Sequence, residues 1–126
     1  MNIGRPESGR VNHIDLAVLQ QELRAFAAKR DWEQFHSIRN LVLALAGEVG
    51  ELASEVQWRD GLTRDELHED EKLLQAFSYE LADILIYLSR LADVAEIDLN
   101  KAVAEKLESN EQRYTVVSSK GNSDKR

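Results

Sequence analysis

Apolar residues along this chain recur with the 3.6-residue period of a helix, and no segment shows the two-residue alternation of a convincing strand. Leu16, Leu19, Leu23, Phe26 and Ala27 share one helical face, with Lys29 and Arg30 at the end where the helix dipole favours cations. Asn12 or Asp15 is the candidate N-cap. A link rich in aromatic and polar groups follows, Asp31-Trp32-Glu33-Gln34-Phe35-His36-Ser37. The second predicted helix covers about 38–56 and is apolar nearly all round, so it is expected to be central. Residues 57 to about 69 read as a loop containing Gly61. Thr63-x-x-Glu66 within it matches a capping box that starts a short turn or the next helix. A third helix extends to about Ala95 and carries Leu73, Leu74, Phe77, Leu81, Ile84, Leu85, Leu88 and Leu91. Asp98 is the expected cap of a fourth, through about Tyr114, with Leu99, Ala102, Val103 and Leu107 on one face. Val116-Val117 is too short to assign.

Four helices with short connections predict an all-α fold, an antiparallel four-helix bundle. The expected organisation is a disordered lead-in over 1–11, one helical domain over 12–115 and a mobile tail over 116–126. Composition agrees with helix. There is one proline and there are six glycines in 126 residues, so little turn chemistry exists for a many-stranded fold. The net charge of −7 argues against a nucleic-acid backbone or an anionic membrane as the main partner. The chain has no cysteine, which excludes disulfides, thiolate metal sites and thiol nucleophiles. The first residues lack the apolar core of a secretory signal, so a cytoplasmic location is expected.

Against this pattern, four acidic residues stand out. Glu48 and Glu51 interrupt the apolar run from Leu41 to Ala53, and Glu80 and Asp83 interrupt the run from Tyr79 to Leu88. Each pair has i,i+3 spacing, which puts both side chains on one helical face, a single turn apart. One Glu-x-x-Glu is usual on a solvated face. Two pairs, each inside the most apolar stretch of its helix, point instead to buried negative charge, which is very unfavourable without compensation. The simplest compensation is a hard divalent cation with oxygen ligands, Mg2+ with Mn2+ as a possible substitute. Mg2+ retains waters and shares its shell readily with a polyphosphate. It can neutralise phosphate charge and orient an attacking water, and a spare carboxylate can take the water's proton. The chemistry expected is hydrolysis of a phosphoanhydride.

Other residues fit that chemistry less specifically. Lys106, Asn110 and Arg113 can share a helical face and hold phosphates, although terminal-helix cations are commonly only solubilising. Tyr87, one turn after Asp83, can donate its hydroxyl or simply pack at the rim. Trp32 and Trp58 flank the second helix and can stack on a flat base or cover a bundle end, with His36 and Phe35 completing a wall. Glu33-x-x-His36 and Asp65-x-x-His68 approach the Glu-x-x-His pattern of di-iron bundles, but the four acids on the apolar helices have no histidine at i+3.

These residues together resemble a known family. Asp31-Trp32-Glu33-Gln34-Phe35-His36-Ser37-x-Arg39-Asn40-Leu41, then Gly47-Glu48-Val49-Gly50-Glu51-Leu52 and Gln57-Trp58, resemble the dCTP pyrophosphatase branch of the MazG-like nucleotide pyrophosphohydrolases. So do Glu80-Leu81-x-Asp83-Ile84-Leu85-Ile86-Tyr87-Leu88, Asp98-Leu99 and Lys106-x-x-x-Asn110-x-x-Arg113-Tyr114. The resemblance spans roughly residues 20 to 114. It implies an all-α enzyme that hydrolyses a nucleoside triphosphate, foremost dCTP or a modified dCTP, to the monophosphate and pyrophosphate. Mg2+ would be bound by Glu48, Glu51, Glu80 and Asp83, the base by Trp32, His36 and Trp58, and the sugar or phosphates by Tyr87, Lys106, Asn110 and Arg113. It further implies a homo-oligomer, a dimer or, in preference, a tetramer built from dimers, that clears the nucleotide pool. Three departures from the family pattern are visible, one of them a connection after Trp58 that is shorter than in some relatives. Where a third acid is frequent this chain has Ser54, with Glu55 one residue on and so rotated about 100° around the helix. Thr115 replaces a proline often found after Arg-Tyr.

Overall fold

The structure, a computed structural model, describes residues 13–124. The expected lead-in and the alternative cap Asn12 lie outside the described residues, as do the last two residues of the tail. Every described element is helical: α1 (Leu16–Lys29), a 3-10 turn (Glu33–Phe35), α2 (Ile38–Val56), α3 (Arg64–Glu69), α4 (Glu71–Val94), α5 (Leu99–Arg113) and α6 (Val116–Ser119). The four long helices fall where periodicity predicts them. The loop expected over 57–69 is shorter, because the capping box at Thr63 and Glu66 starts the separate helix α3. A further helical turn, α6, forms around Val116-Val117.

All six α-helices start in the same way. Asp15, Ser37, Thr63, Asp70, Asp98 and Thr115 each accept a hydrogen bond from the backbone N–H three residues on. Each bond satisfies one of the donors that a helix N-terminus leaves free. At Thr63 the bond is reciprocal, and the contacts from Thr63 hold the Glu66 carboxyl below the usual carboxylate range. The end of α1 is a Schellman motif. Asp31 takes a left-handed φ of 54°, its N–H bonds the Ala28 carbonyl, and the Trp32 N–H bonds the Ala27 carbonyl. This returns the chain against α1, where the Trp32 ring meets the edge of Phe26 at 5.7 Å. Glu96, just past α4, is the other non-glycine residue with positive φ among the described residues.

The described residues divide into two compact units, one ending at Ala95 and the other starting at Glu96 with α5 and α6. In the first unit α4 is the central helix, packed most extensively on α2 and also on α1 and α3. Hydrogen bonds from Gln20 to the Ser89 carbonyl and from Arg24 to Asp93 climb both chains together, so α1 runs parallel to α4. His36, just ahead of α2, contacts Arg90, whereas Glu48 near its C-terminal half approaches Glu80 and Asp83, so α2 runs antiparallel. Few apolar side chains are fully buried: Ala27, Leu41, Leu73 and Ala92. Many large ones on α2 and α4 remain open, among them Val42, Leu43, Val49, Tyr79, Leu81 and Leu88.

Two stability changes follow. Leu41 is 2 % exposed, so Leu41→Ala should lower the unfolding free energy in a urea titration by about 2–5 kcal/mol. Glu96→Gly should act in the opposite sense. A left-handed conformation costs a side-chain-bearing residue roughly 1–2 kcal/mol, and glycine avoids most of it. A gain of about 1 kcal/mol is expected by the same titration.

Candidate active site

The acids singled out in the sequence come from the two helices that pack most closely. Glu48 on α2 and Glu80 and Asp83 on α4 each place a carboxylate oxygen so that all three lie within 4.8 Å of one another. All three residues are half-buried. Oε2 of Glu48 and Oε2 of Glu80 are fully shielded from solvent and meet no donor among the described residues. Burial pushes the Glu80 carboxyl up to about 7, and the neighbouring Glu48 and Glu51 push it the same way. Glu51 is exposed and outside the tight trio, yet near enough to act on Glu80. No lysine or arginine forms an ion pair with these four acids among the described residues. Converging, unpartnered carboxylate oxygens without nitrogen or sulfur donors suit a hard divalent cation. The donor set therefore fits the metal that the sequence implies.

One helical turn beyond Asp83, α4 presents Ile86, Tyr87 and Arg90 to a cavity of about 110 Å³. Leu23 and Phe26 of α1 and Trp32 and His36 of the α1–α2 connection close it. An engineered cavity of ~150 Å³ admits benzene, so a space of this order is on the scale of one ring. The separation of four residues between Asp83 and Tyr87 corresponds to about 6 Å along the helix. The acidic cluster and the cavity are thus adjacent stations on one rigid element.

His36 is oriented by a neighbour in the cavity wall. Its Nδ1 accepts a hydrogen bond from Nε of Arg90 at 3.0 Å. Nδ1 must therefore be unprotonated, which leaves the ring proton on Nε2. Burial lowers the His36 pKa, the Arg90 charge lowers it further, and Glu33 opposes both. Arg90 itself is buried. Its charge is met by Asp93 at 3.4 Å, which also takes a 2.8 Å bond from Arg24.

Trp32, His36 and Tyr87 are therefore brought together. Trp58 is not in that group: it is 87 % exposed and borders a separate shallow depression with Ser54, Glu55 and Arg59. Ser54 donates to the Glu51 carbonyl at 2.7 Å, so its hydroxyl caps the helix backbone where relatives of this motif often carry an acid. Glu55 lies with Trp58 and outside the carboxylate trio. Lys106, Asn110 and Arg113 lie on α5 in the second unit, Asn110 half-buried and the two cations exposed. His68 is exposed on α3, and His36 is bonded to an arginine rather than paired with an acid at a metal site.

Arg90 is the cavity-lining residue that the sequence pattern did not single out. The signal was present, since a cation in Leu88-Ser89-Arg90-Leu91-Ala92 breaks an apolar stretch as the acids do. Its partner His36 is 54 residues away, and helical periodicity carries no information about that pairing.

Comparison with known proteins gives a consistent assignment. Residues 36–117 match the MazG nucleotide pyrophosphohydrolase domain. A dCTP pyrophosphatase 1 from Rattus norvegicus is 50 % identical over 96 residues, covering 76 % of this chain and 56 % of the relative. The Homo sapiens dCTP pyrophosphatase 1 is 48 % identical over 89 residues, covering 71 % of this chain and 52 % of the relative. The chain thus spans little more than half the length of the curated relatives it matches. Among solved structures, a pyrophosphatase from Archaeoglobus fulgidus superposes with a TM-score of 0.69 at 37 % identity, over 84 % of this chain and 99 % of that one. With its helical fold, its three converging carboxylates and a domain match over most of its length, the chain belongs to the MazG nucleotide pyrophosphohydrolase family.

Proposed function

We propose that this protein is a Mg2+-dependent nucleoside triphosphate pyrophosphohydrolase acting foremost on dCTP or a modified dCTP. The products are dCMP and pyrophosphate. The observation that carries the reading is the trio Glu48, Glu80 and Asp83, with two shielded oxygens lacking donors, one turn from a single-ring cavity. The names of the relatives support the choice of nucleotide.

In this reading Glu48, Glu51, Glu80 and Asp83 hold the cation. A cation held there would supply neutralisation of the phosphate charge and activation of a water for attack on the α-phosphorus. A carboxylate oxygen not engaged by the cation accepts the water's proton. Trp32 stacks on the base, His36 donates to its edge and Tyr87 orients the sugar. Stacking on a fixed aromatic face and one well-aimed donor hold the nucleotide so that its reacting phosphorus is presented to the acids. Trp58 is assigned to the base, and Lys106, Asn110 and Arg113 to the phosphates, where cationic and amide donors stabilise charge that moves onto the leaving pyrophosphate. The open apolar faces of α2 and α4 support a homo-oligomer, with a tetramer favoured, in which a second copy covers them. The role proposed is sanitation of the cytoplasmic nucleotide pool. No helix among the described residues is long and apolar enough to cross a membrane.

The direct test is pyrophosphate release from a panel of dNTPs and NTPs, with Mg2+ and with EDTA. Release that needs metal and is strongest for dCTP is expected; release from none of them rejects the reading. Asp83→Asn should reduce turnover by at least ~10²-fold with the helical circular dichroism signal kept.

The raised Glu80 pKa has a defined pH consequence. The folded value, about 7, lies above the unfolded one of 4.5, so the folded state binds more protons between them. Stability from this group is full below the unfolded value and is lost as pH rises through about 7. In EDTA the melting temperature should therefore fall more steeply from pH 4.5 to 7 for the wild type than for Glu80→Gln. Added Mg2+ should flatten the difference at the upper end. Parallel curves for the two proteins would refute a folded-state shift at Glu80.

A further inference from the structure

The pairing of a buried arginine with a cavity histidine goes beyond the reaction class and bears on what the cavity accepts. Arg90 reaches His36 through Nε at 3.0 Å, and the same guanidinium is anchored through Nη1 to Asp93. Asp93 is held in turn by Arg24 from α1. The chain α1–Asp93–Arg90–His36 thus fixes one imidazole from two helices. Arg90 is a permanent donor, because a guanidinium does not lose its proton under any ordinary condition. An imidazole nitrogen facing it can only accept. The other nitrogen, Nε2, is thereby forced to carry hydrogen.

We propose that Arg90 is a positioning residue that locks His36 as an Nε2–H donor, so that the cavity selects a ring offering an acceptor at its edge over one offering an N–H. Cytosine is of the first kind, with adjacent O2 and N3 acceptors. Uracil and thymine keep the O2 acceptor but place a donor, N3–H, where cytosine has N3, so the selection is made by the His36 donor meeting N3. A donor facing a donor leaves both unsatisfied in a largely apolar space, where that mismatch is most unfavourable. Without Arg90 the imidazole can exchange tautomers, present Nε2 as an acceptor and accommodate either ring. Selection would then arise from a residue that lies three turns along α4 from Glu80 and takes no part in the proposed hydrolysis. This proposal rests on the reading of the cavity as the base site.

The test uses the full chain and two readouts that do not depend on turnover. The chain has three histidines, so substitution of His36 identifies its signals among the 15N resonances of the imidazoles. Calorimetric titration with dCMP and with dUMP gives the binding ratio. In the wild type His36 should read as Nε2–H, and dCMP should bind better than dUMP by on the order of tenfold, the scale of one mismatched hydrogen bond. In Arg90→Met the 15N pattern should become a mixture and the ratio should fall toward one. Asp93 keeps its partner Arg24 in that variant, so the fold is retained. Arg90→Lys should restore both readouts, because the lysine ammonium, one bond further along its side chain than the arginine Nε, is likewise a donor with no acceptor and can turn to face Nδ1. A variant that merely loosened packing would not be rescued in this way. Retention of Nε2–H in Arg90→Met overturns the proposal. So does a change of tautomer that leaves the binding ratio untouched, or equal binding of both nucleotides by the wild type. A wild type that shows the tautomer and the binding ratio but hydrolyses no triphosphate rejects the proposed reaction and leaves the role of Arg90 supported.

Discussion

Negative charge confined between two apolar helices is the constraint around which the first unit is organised. Glu48, Glu80 and Asp83 would each be better solvated on the outside of a helix, and their mutual repulsion opposes the packing of α2 on α4. They are held there because the flanking residues are apolar and the two helices share the longest contact in the unit. The raised Glu80 pKa is the electrostatic record of that opposition. A polycation would relieve it as well as a metal in principle, but the described residues supply no lysine or arginine partner at the cluster. The arrangement is stable and incomplete at once, which is the condition of a ready-made cation site.

The same helix carries both polar devices of the unit, and they solve opposite problems. At Glu80 and Asp83 like charges are crowded with no counter-charge. At Arg90 a buried cation is satisfied within the protein by Asp93 and His36. The first can be completed only from outside and the second is already complete. That difference separates the part of α4 that must capture something charged from the part that must hold a shape. Their spacing along a single helix keeps the two in fixed register, so the cavity and the acids cannot drift apart by loop motion.

Much of this was legible in the sequence. The four long helices follow from periodicity and from cap residues such as Ser37, Asp70 and Asp98. The facing of the two acid pairs follows from i,i+3 spacing and the apolar runs around them. What could not be read was long-range pairing. Trp32 and Trp58 look equivalent as aromatic residues in connections, yet the Schellman turn folds Trp32 back on Phe26 while Trp58 stands clear of its helix. His36 likewise takes its hydrogen-bond partner, Arg90, from a distant part of the chain. Helix α3 was encoded by a capping box that competes with the loop reading over the same residues, and tertiary contact with α4 decides between them.

The left-handed turn at Asp31 joins two things that are usually separate, the last turn of a helix and the wall of a cavity. The Trp32 amide is spent on the last turn of α1, and its ring forms part of the cavity lining. Helix ends open more readily than helix centres. Each opening of that last turn is therefore also an opening of the cavity, and whatever fills the cavity must slow the breathing of α1.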